Sequence, residues 1–137
     1  MGKRNVLMWG AALCLVTAIG TRVAGEQTTT RAVAARMKNP VAANAASVAA
    51  GQALYQKQCR LCHGATGKAD TAAAKSMGAS DLTDPTWTRG GSDGELFVVI
   101  QEGAGPEFKM KGFKGKLSDQ DTWHVVNYVR SLSSAQK

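Results

Sequence analysis

A chain of 137 residues holds one domain with one core and is too short for two. Its hydrophobic share of 44% and charged share of 20% exclude wholesale disorder, yet only three Trp, two Tyr and three Phe are available to fill the core. Seventeen Lys and Arg against ten Asp and Glu give +7, which raises the question of acidic partners.

Lys3 and Arg4 precede an uncharged apolar run over 6–20, the pattern of an export signal. The run is at the long end for a signal peptide and short of the roughly 20 residues that cross a bilayer. Small residues at Ala24 and Gly25 put cleavage near Gly25. There is no clean A-x-A site, so an uncleaved N-terminal anchor is the alternative. Cys14 lies inside the run and reads as packing. Residues 1–25 are thus taken as leader and the protein as exported to a bacterial periplasm, soluble or tethered to the inner membrane. Membrane contact is expected only if the leader stays. Loss of the leader removes Lys3, Arg4 and Arg22 and no acid, leaving fourteen basic against ten acidic residues, or +4. Most of the case for a nucleic-acid partner goes with it, and no basic stripe interleaved with aromatics exists.

Residues 26–46 are Thr- and Ala-rich, with Val33, Met37 and Val41 the sizeable apolar residues. They are expected to form a flexible arm, with a transient helix around 31–38 as the alternative. The domain proper is placed at 47–137. Val48, Gly51, Tyr55 and Cys59 recur at helical spacing and share one face. After Cys59, Gly and Asp-Pro punctuation implies loop through residue 91, with room for a short helix at 71–77. Ser92-Asp-Gly-Glu95 is a capping box opening a second helix that stops at Gly103. Ser118-Asp-Gln-Asp121 opens a third, carrying Val125, Val126, Val129 and Leu132 on a broad apolar arc. No alternating strand pattern occurs, so the fold class is all-α. A helical domain this small needs a staple, which a disulfide, a metal or a large cofactor can supply.

Cys59-Arg-Leu-Cys62-His63 is where that staple is sought. A redox C-x-x-C would follow a strand and open a helix, whereas here a helix precedes it. A zinc site would need His124 as fourth ligand, from the middle of the third helix. A Cys59–Cys62 disulfide would close a tiny loop and stabilise little. Covalent c-type haem uses every residue: two thiols for the two vinyl groups, and His63 as proximal iron ligand. Gly64 would leave the backbone room to pass the porphyrin. The haem would then be the large apolar plate around which the short helices pack. For the sixth ligand, Met37 (in the arm), Met77 (only 14 residues past His63), Met110 and His124 compete. Met110 lies in the loop between the second and third helices, able to reach the opposite haem face. Met77 has core filling as its plainer role, and His124 that of a helix surface residue.

Over roughly 47–133 the chain resembles the class I c-type cytochromes. The resemblance rests on Gly51-x-x-x-Tyr55-x-x-x-Cys59-x-x-Cys62-His63-Gly64, on Asp81-Leu-Thr-Asp-Pro-Thr-Trp87, on Met110-x-x-Phe113-x-x-x-Leu117-Ser118, and on Trp123-x-Val-Val-Asn-Tyr128. It implies a small cytochrome c-like helical domain wrapped around one covalent haem c. Its first and last helices would cross at Gly51, Tyr55 and Tyr128, and Met110 would be the sixth ligand. Where the family has Pro after that Met, this chain has Lys111, which predicts a freer loop. Trp87 and Arg89 have donors suited to propionates, but core packing and a solvated surface position explain them as well, and both stay outside the site. The expected function is single-electron transfer with redox partner proteins. The alternatives are a haem c subunit of a larger dehydrogenase or oxidase, and a five-coordinate small peroxidase or gas-binding protein. Lys109, Lys111, Lys114 and Lys116 bracket Met110 and predict a positive patch for an acidic partner. If the leader is cleaved, the intact mass of the mature protein corresponds to loss of about the first 25 residues; full-length chain that needs detergent for extraction would identify an anchor.

Overall fold

The computed structural model describes residues 31–87, 89–105 and 110–134. The leader with its cleavage site, the start of the arm and Lys109 lie outside them. Among the described residues five helices follow in order: α1 Ala45–Gln58, α2 Arg60–His63, α3 Ala72–Met77, α4 Asp93–Glu102 and α5 Asp119–Ser134. Residues 31–36 add a helical turn. Among the described residues the only β-pairing is two isolated bridges, Gly103 with Lys111 and Lys114 with Leu117.

The helix starts are those that the local chemistry demands. Asn44 caps α1, its side chain accepting from the Ser47 amide at 2.9 Å. Ser92 and Glu95 make the full capping box of α4, and α4 stops at Gly103. At α5, the Ser118 hydroxyl accepts from the Asp121 amide at 3.0 Å and donates to its carboxylate at 2.8 Å. Each cap satisfies backbone donors that a helix N-terminus otherwise leaves without partners.

The main packing is the crossing of α1 over α5. A Cβ on Gly51 would strike the His124 carbonyl and come within 2.9 Å of the Tyr128 Cβ, so only glycine allows this approach. One turn on, Tyr55 is fully buried and its ring lies 5.0 Å from that of Tyr128, centroid to centroid. Val125, Val126 and Val129 are buried beside them. Phe97 of α4 stacks on Trp123 of α5 at 4.2 Å. Between these two helices the Gln101 amide donates to Thr122 at 2.6 Å, so the buried polar groups are paired rather than orphaned.

Residues 31–44 differ from the free arm expected of them: they form a strap seated on the domain. Ala34 is 2% exposed, and its carbonyl abuts Gly94 so closely that no side chain fits there. Arg31 reaches Glu95 at 3.4 Å, while Met37 and Val41 pack against the core. The Asn39 amide donates to Asn127 at 2.8 Å. Asn127 in turn donates to the Ser47 hydroxyl at 2.8 Å and to the carbonyls of Val41 and Ala42. Three apolar side chains were too few to signal burial, but the partners are backbone and amide groups, which leave no mark in a hydropathy pattern.

Gly51→Ala is expected to cost about 1–3 kcal/mol by overpacking the crossing, read as a lower urea midpoint. Asn127→Ala, which strips donors from the strap carbonyls, is expected to cost about 1–3 kcal/mol. An unchanged midpoint for either variant would remove its contact from the account.

Candidate functional site

Cys59 ends α1 and begins α2. Its amide donates to the Tyr55 carbonyl at 2.9 Å, and its carbonyl accepts from Cys62 at 3.1 Å and His63 at 3.0 Å. The motif is therefore a single helical turn, and Cys59, Cys62 and His63 all line one cavity. Two bonds fix that turn to the domain. The Tyr55 hydroxyl donates to the Gly64 carbonyl at 2.7 Å. The Thr71 hydroxyl donates to the Leu61 carbonyl at 2.9 Å and accepts from the Ala74 amide at 2.9 Å, coupling α2 to the cap of α3. Gly64 itself has a φ of 78°, so its need for glycine is a backbone one, and Asp70 rather than the cavity lies against it.

The cavity holds about 490 Å³, within the roughly 300–1,000 Å³ usual for ligand sites. Leu82, Leu96, Ile100, Phe113, Val125 and Val129 contribute to its apolar walls. His63 Nδ1 lies 2.9 Å from the Ser80 carbonyl oxygen. A carbonyl can only accept, so Nδ1 carries the proton and Nε2 keeps the lone pair a metal ligand needs. Ser80 escaped the sequence reading because only its backbone takes part.

Met110 also lines the cavity. The segment bearing it is laddered onto the end of α4: Ala104 donates to the Met110 carbonyl at 3.1 Å, Phe113 to Ile100 at 2.9 Å and Lys114 to Gln101 at 3.0 Å. The last α4 carbonyls thus receive donors, and this pairing holds the loop where Lys111 stands in place of proline. Met77 lines the cavity as well, on the side of the motif, its sulfur 3.7 Å from the Cys62 sulfur and the residue 40% exposed. Met37 belongs to the strap. His124 is half-buried, with Nδ1 2.8 Å from the Ser47 hydroxyl, and takes no part in the cavity lining. Trp87 and Arg89, which the sequence reading kept out of the site, both line it. Arg130 sits 5.7 Å over the Trp87 ring, held by Asp93 at 2.7 Å and by the Gly91 carbonyl. The signal for Trp87 was its place in the Asp81–Trp87 motif.

Cys59 and Cys62 are free thiols. Burial, then the neighbouring Cys62, pushes the Cys59 thiol up to about 11, opposite to the depressed value that a redox C-x-x-C uses. Near the mouth, Asp81 accepts from the Thr83 hydroxyl at 2.6 Å, and that bond first of all holds its carboxyl below the usual range. The donor set fits a covalent haem: two thiols one helical turn apart, an imidazole with a free Nε2, a thioether, and apolar walls.

An all-α domain whose C-x-x-C-H turn opens into an apolar cavity is a c-type cytochrome domain. Over residues 46–129, more than half of its length, the chain matches the family described as cytochrome c oxidase, cbb3-type, subunit III, and it belongs to that family. Membership implies covalently bound haem c. Among its relatives, subunit CcoP of the cbb3-type cytochrome c oxidase of Rhodobacter capsulatus is 35% identical over 64% of this chain and 30% of the relative. A thiosulfate dehydrogenase of Stutzerimonas stutzeri is 32% identical over 65% of this chain and 28% of the relative. The chain therefore spans about a third or less of these curated relatives. Of solved structures, the c-type cytochrome KustC0563 superposes with a TM-score of 0.53 at 34% identity, covering 60% of this chain and 95% of that one. The reducing HAO-like protein complex Kustc0457/Kustc0458 of Kuenenia stuttgartiensis, at 23% identity, shares the fold with a TM-score of 0.62 over 70% of this chain and 49% of that one.

Burial, first of all, pushes the Tyr55 phenol above its ordinary value of 10.0. A folded-state value raised in this way gives stability that is fully present below about pH 10 and lost as pH rises above it, where only the unfolded chain ionises. Tyr55→Phe is expected to cost about 1–3 kcal/mol at neutral pH, since the Gly64 carbonyl loses its donor. Its stability should then decline less steeply than that of the parent above about pH 10. Parallel alkaline profiles in urea titrations would show that Tyr55 does not carry the effect.

Proposed function

We propose that this chain transfers single electrons outside the cytoplasmic membrane through one haem c, bound by Cys59 and Cys62 and axially ligated by His63 and Met110. The observation that carries the reading is the pinned imidazole. His63 donates from Nδ1 to Ser80 at 2.9 Å and so presents Nε2 as ligand, in the same turn as both thiols. The haem would supply reversible one-electron chemistry at iron. The chain's own work is to hold it by two thioethers, fix the imidazole, and exclude water with Leu96, Ile100, Val125 and Val129. No proton has to move. Met110 is preferred to Met77 because its segment is anchored on α4, away from the motif's turn, whereas the Met77 sulfur lies against Cys62.

Partnership in a larger redox assembly is the finer form of this reading. It draws support from relatives that are named as an oxidase subunit and a dehydrogenase. Export to the periplasm rests on the leader, and among the described residues no helix is long and apolar enough to cross a membrane.

Haem should stay with the chain through acid–acetone extraction, and release into the organic layer would sink the covalent assignment. Met110→Ala is expected to lose the weak red thioether-to-iron band of the oxidised protein and to lower its potential. Met77→Ala should keep both, and the reverse pattern would exchange the two methionines. Slow carbon monoxide binding by the ferrous parent is expected of a six-coordinate carrier; rapid binding would favour the peroxidase or gas-binding alternative.

A further inference from the structure

Gly103 ends α4 and Gly112 lies just past Met110, and each lacks a side chain where the other's backbone stands. A Cβ on Gly103 would come within 2.8 Å of both the Gly112 amide nitrogen and the Met110 carbonyl oxygen. A Cβ on Gly112 would strike the Gln101 carbonyl oxygen and stand 2.6 Å from the Glu102 carbonyl carbon. A side chain at either position therefore forces a backbone shift. The two glycines differ in what they need. Gly103 has a φ of 90°, which favours glycine whatever stands opposite. Gly112 is not among the positive-φ glycines, so an alanine there suits its own backbone and only the close approach excludes it.

This approach is what lets the ladder form. Gly103 pairs with Lys111 across it, and bonds on either side run from Ala104 to Met110 at 3.1 Å and from Phe113 to Ile100 at 2.9 Å. Met110 and Phe113 both line the cavity, so the laddered stretch is the one that faces it. The α4 side of the joint is firm as well. Gln101 and Ala104 are buried, and the Gln101 amide is tied to Thr122 of α5. Lys114 and Glu102 add an ion pair across the joint, but both are largely exposed, and such pairs hold little.

We infer that Gly112 and Gly103 are positioning residues for the sixth iron ligand: their contact holds the Met110 thioether in place, the task that a proline after the methionine would otherwise serve. This rests on the Met110 ligation proposed above. Control of ligand exchange then lies at a backbone joint on the end of α4 and not at Lys111. A ligand that leaves for a fraction of the time opens its site to a competitor for that fraction, and the competitor's apparent affinity rises in proportion. A joint forced apart therefore registers as tighter binding of an external ligand, and loss of the thioether lowers the potential.

The test uses full-chain holoprotein with imidazole as the competing ligand. Asn127→Ala, destabilised at the strap and away from the cavity, is the control. Gly112→Ala is expected to bind imidazole about tenfold or more tightly than the parent, to weaken the red thioether-to-iron band of the oxidised protein and to lower the potential. Asn127→Ala should keep the parent's band and potential, and its imidazole affinity to within about twofold. Ala104→Pro, which replaces the amide donating to the Met110 carbonyl by a ring carbon, should move all three readouts as Gly112→Ala does. It decides the matter if Gly112→Ala yields no holoprotein. A Gly112→Ala protein that loses stability yet keeps the parent's band, potential and imidazole affinity would reduce Gly112 to a packing role and overturn the assignment. Equal changes in Asn127→Ala would overturn it too, by tracing the effect to stability alone. A red band that survives Met110→Ala is the separate mark of a wrong ligand, and would remove the proposal's basis.

Discussion

The closeness of α1 and α5 at Gly51 sets the position of nearly every other group in the domain. It exists because one residue has no side chain, and it lets Tyr55 enter the core far enough for its hydroxyl to emerge on the other side and hold the Gly64 carbonyl. The C-x-x-C-H turn is thereby fastened to the crossing rather than hung on a loop. Ser80 then fixes the imidazole from a third segment. A site assembled in this order draws the position of its imidazole from separate segments of the chain.

Much of this was legible because it is written in residue types with few other uses. Cysteines spaced two apart before a histidine, Gly51 four residues from Tyr55, and Ser-x-x-acid boxes each have a short list of meanings, and the helices fall where those signals put them. What escaped was carried by backbone. Ser80 and Gly64 act through carbonyls, the Met110 segment is held by its ladder on α4, and the strap is seated by Asn39 and Asn127 on main-chain groups. None of these has a periodicity or a composition. The seating of the Ala-rich arm left no pattern for the same reason, since Ala34 buries its carbonyl against Gly94.

The electrostatics were legible only as a sum. The lysines near Met110 and those near Leu61 are equally visible as letters, but the pairing of Lys114 with Glu102 depends on where α4 ends and the following loop returns. The same holds for Arg130, whose charge is spent on Asp93, Gly91 and the Trp87 ring rather than offered to a partner.

The strap has a consequence for how such a domain can be moved between proteins. The family match begins at residue 46, but among the described residues the packed unit reaches back to Arg31, because Ala34 and Met37 cover Gly94 and the Asn39 amide completes Asn127. A recombination event at the similarity boundary would transplant a module with an open seam along α4 and α5. Arg31 holds Glu95 of α4, so a neighbour fused ahead of the strap is oriented by the helix that walls the cavity, and successful grafts should carry their own equivalent of the strap.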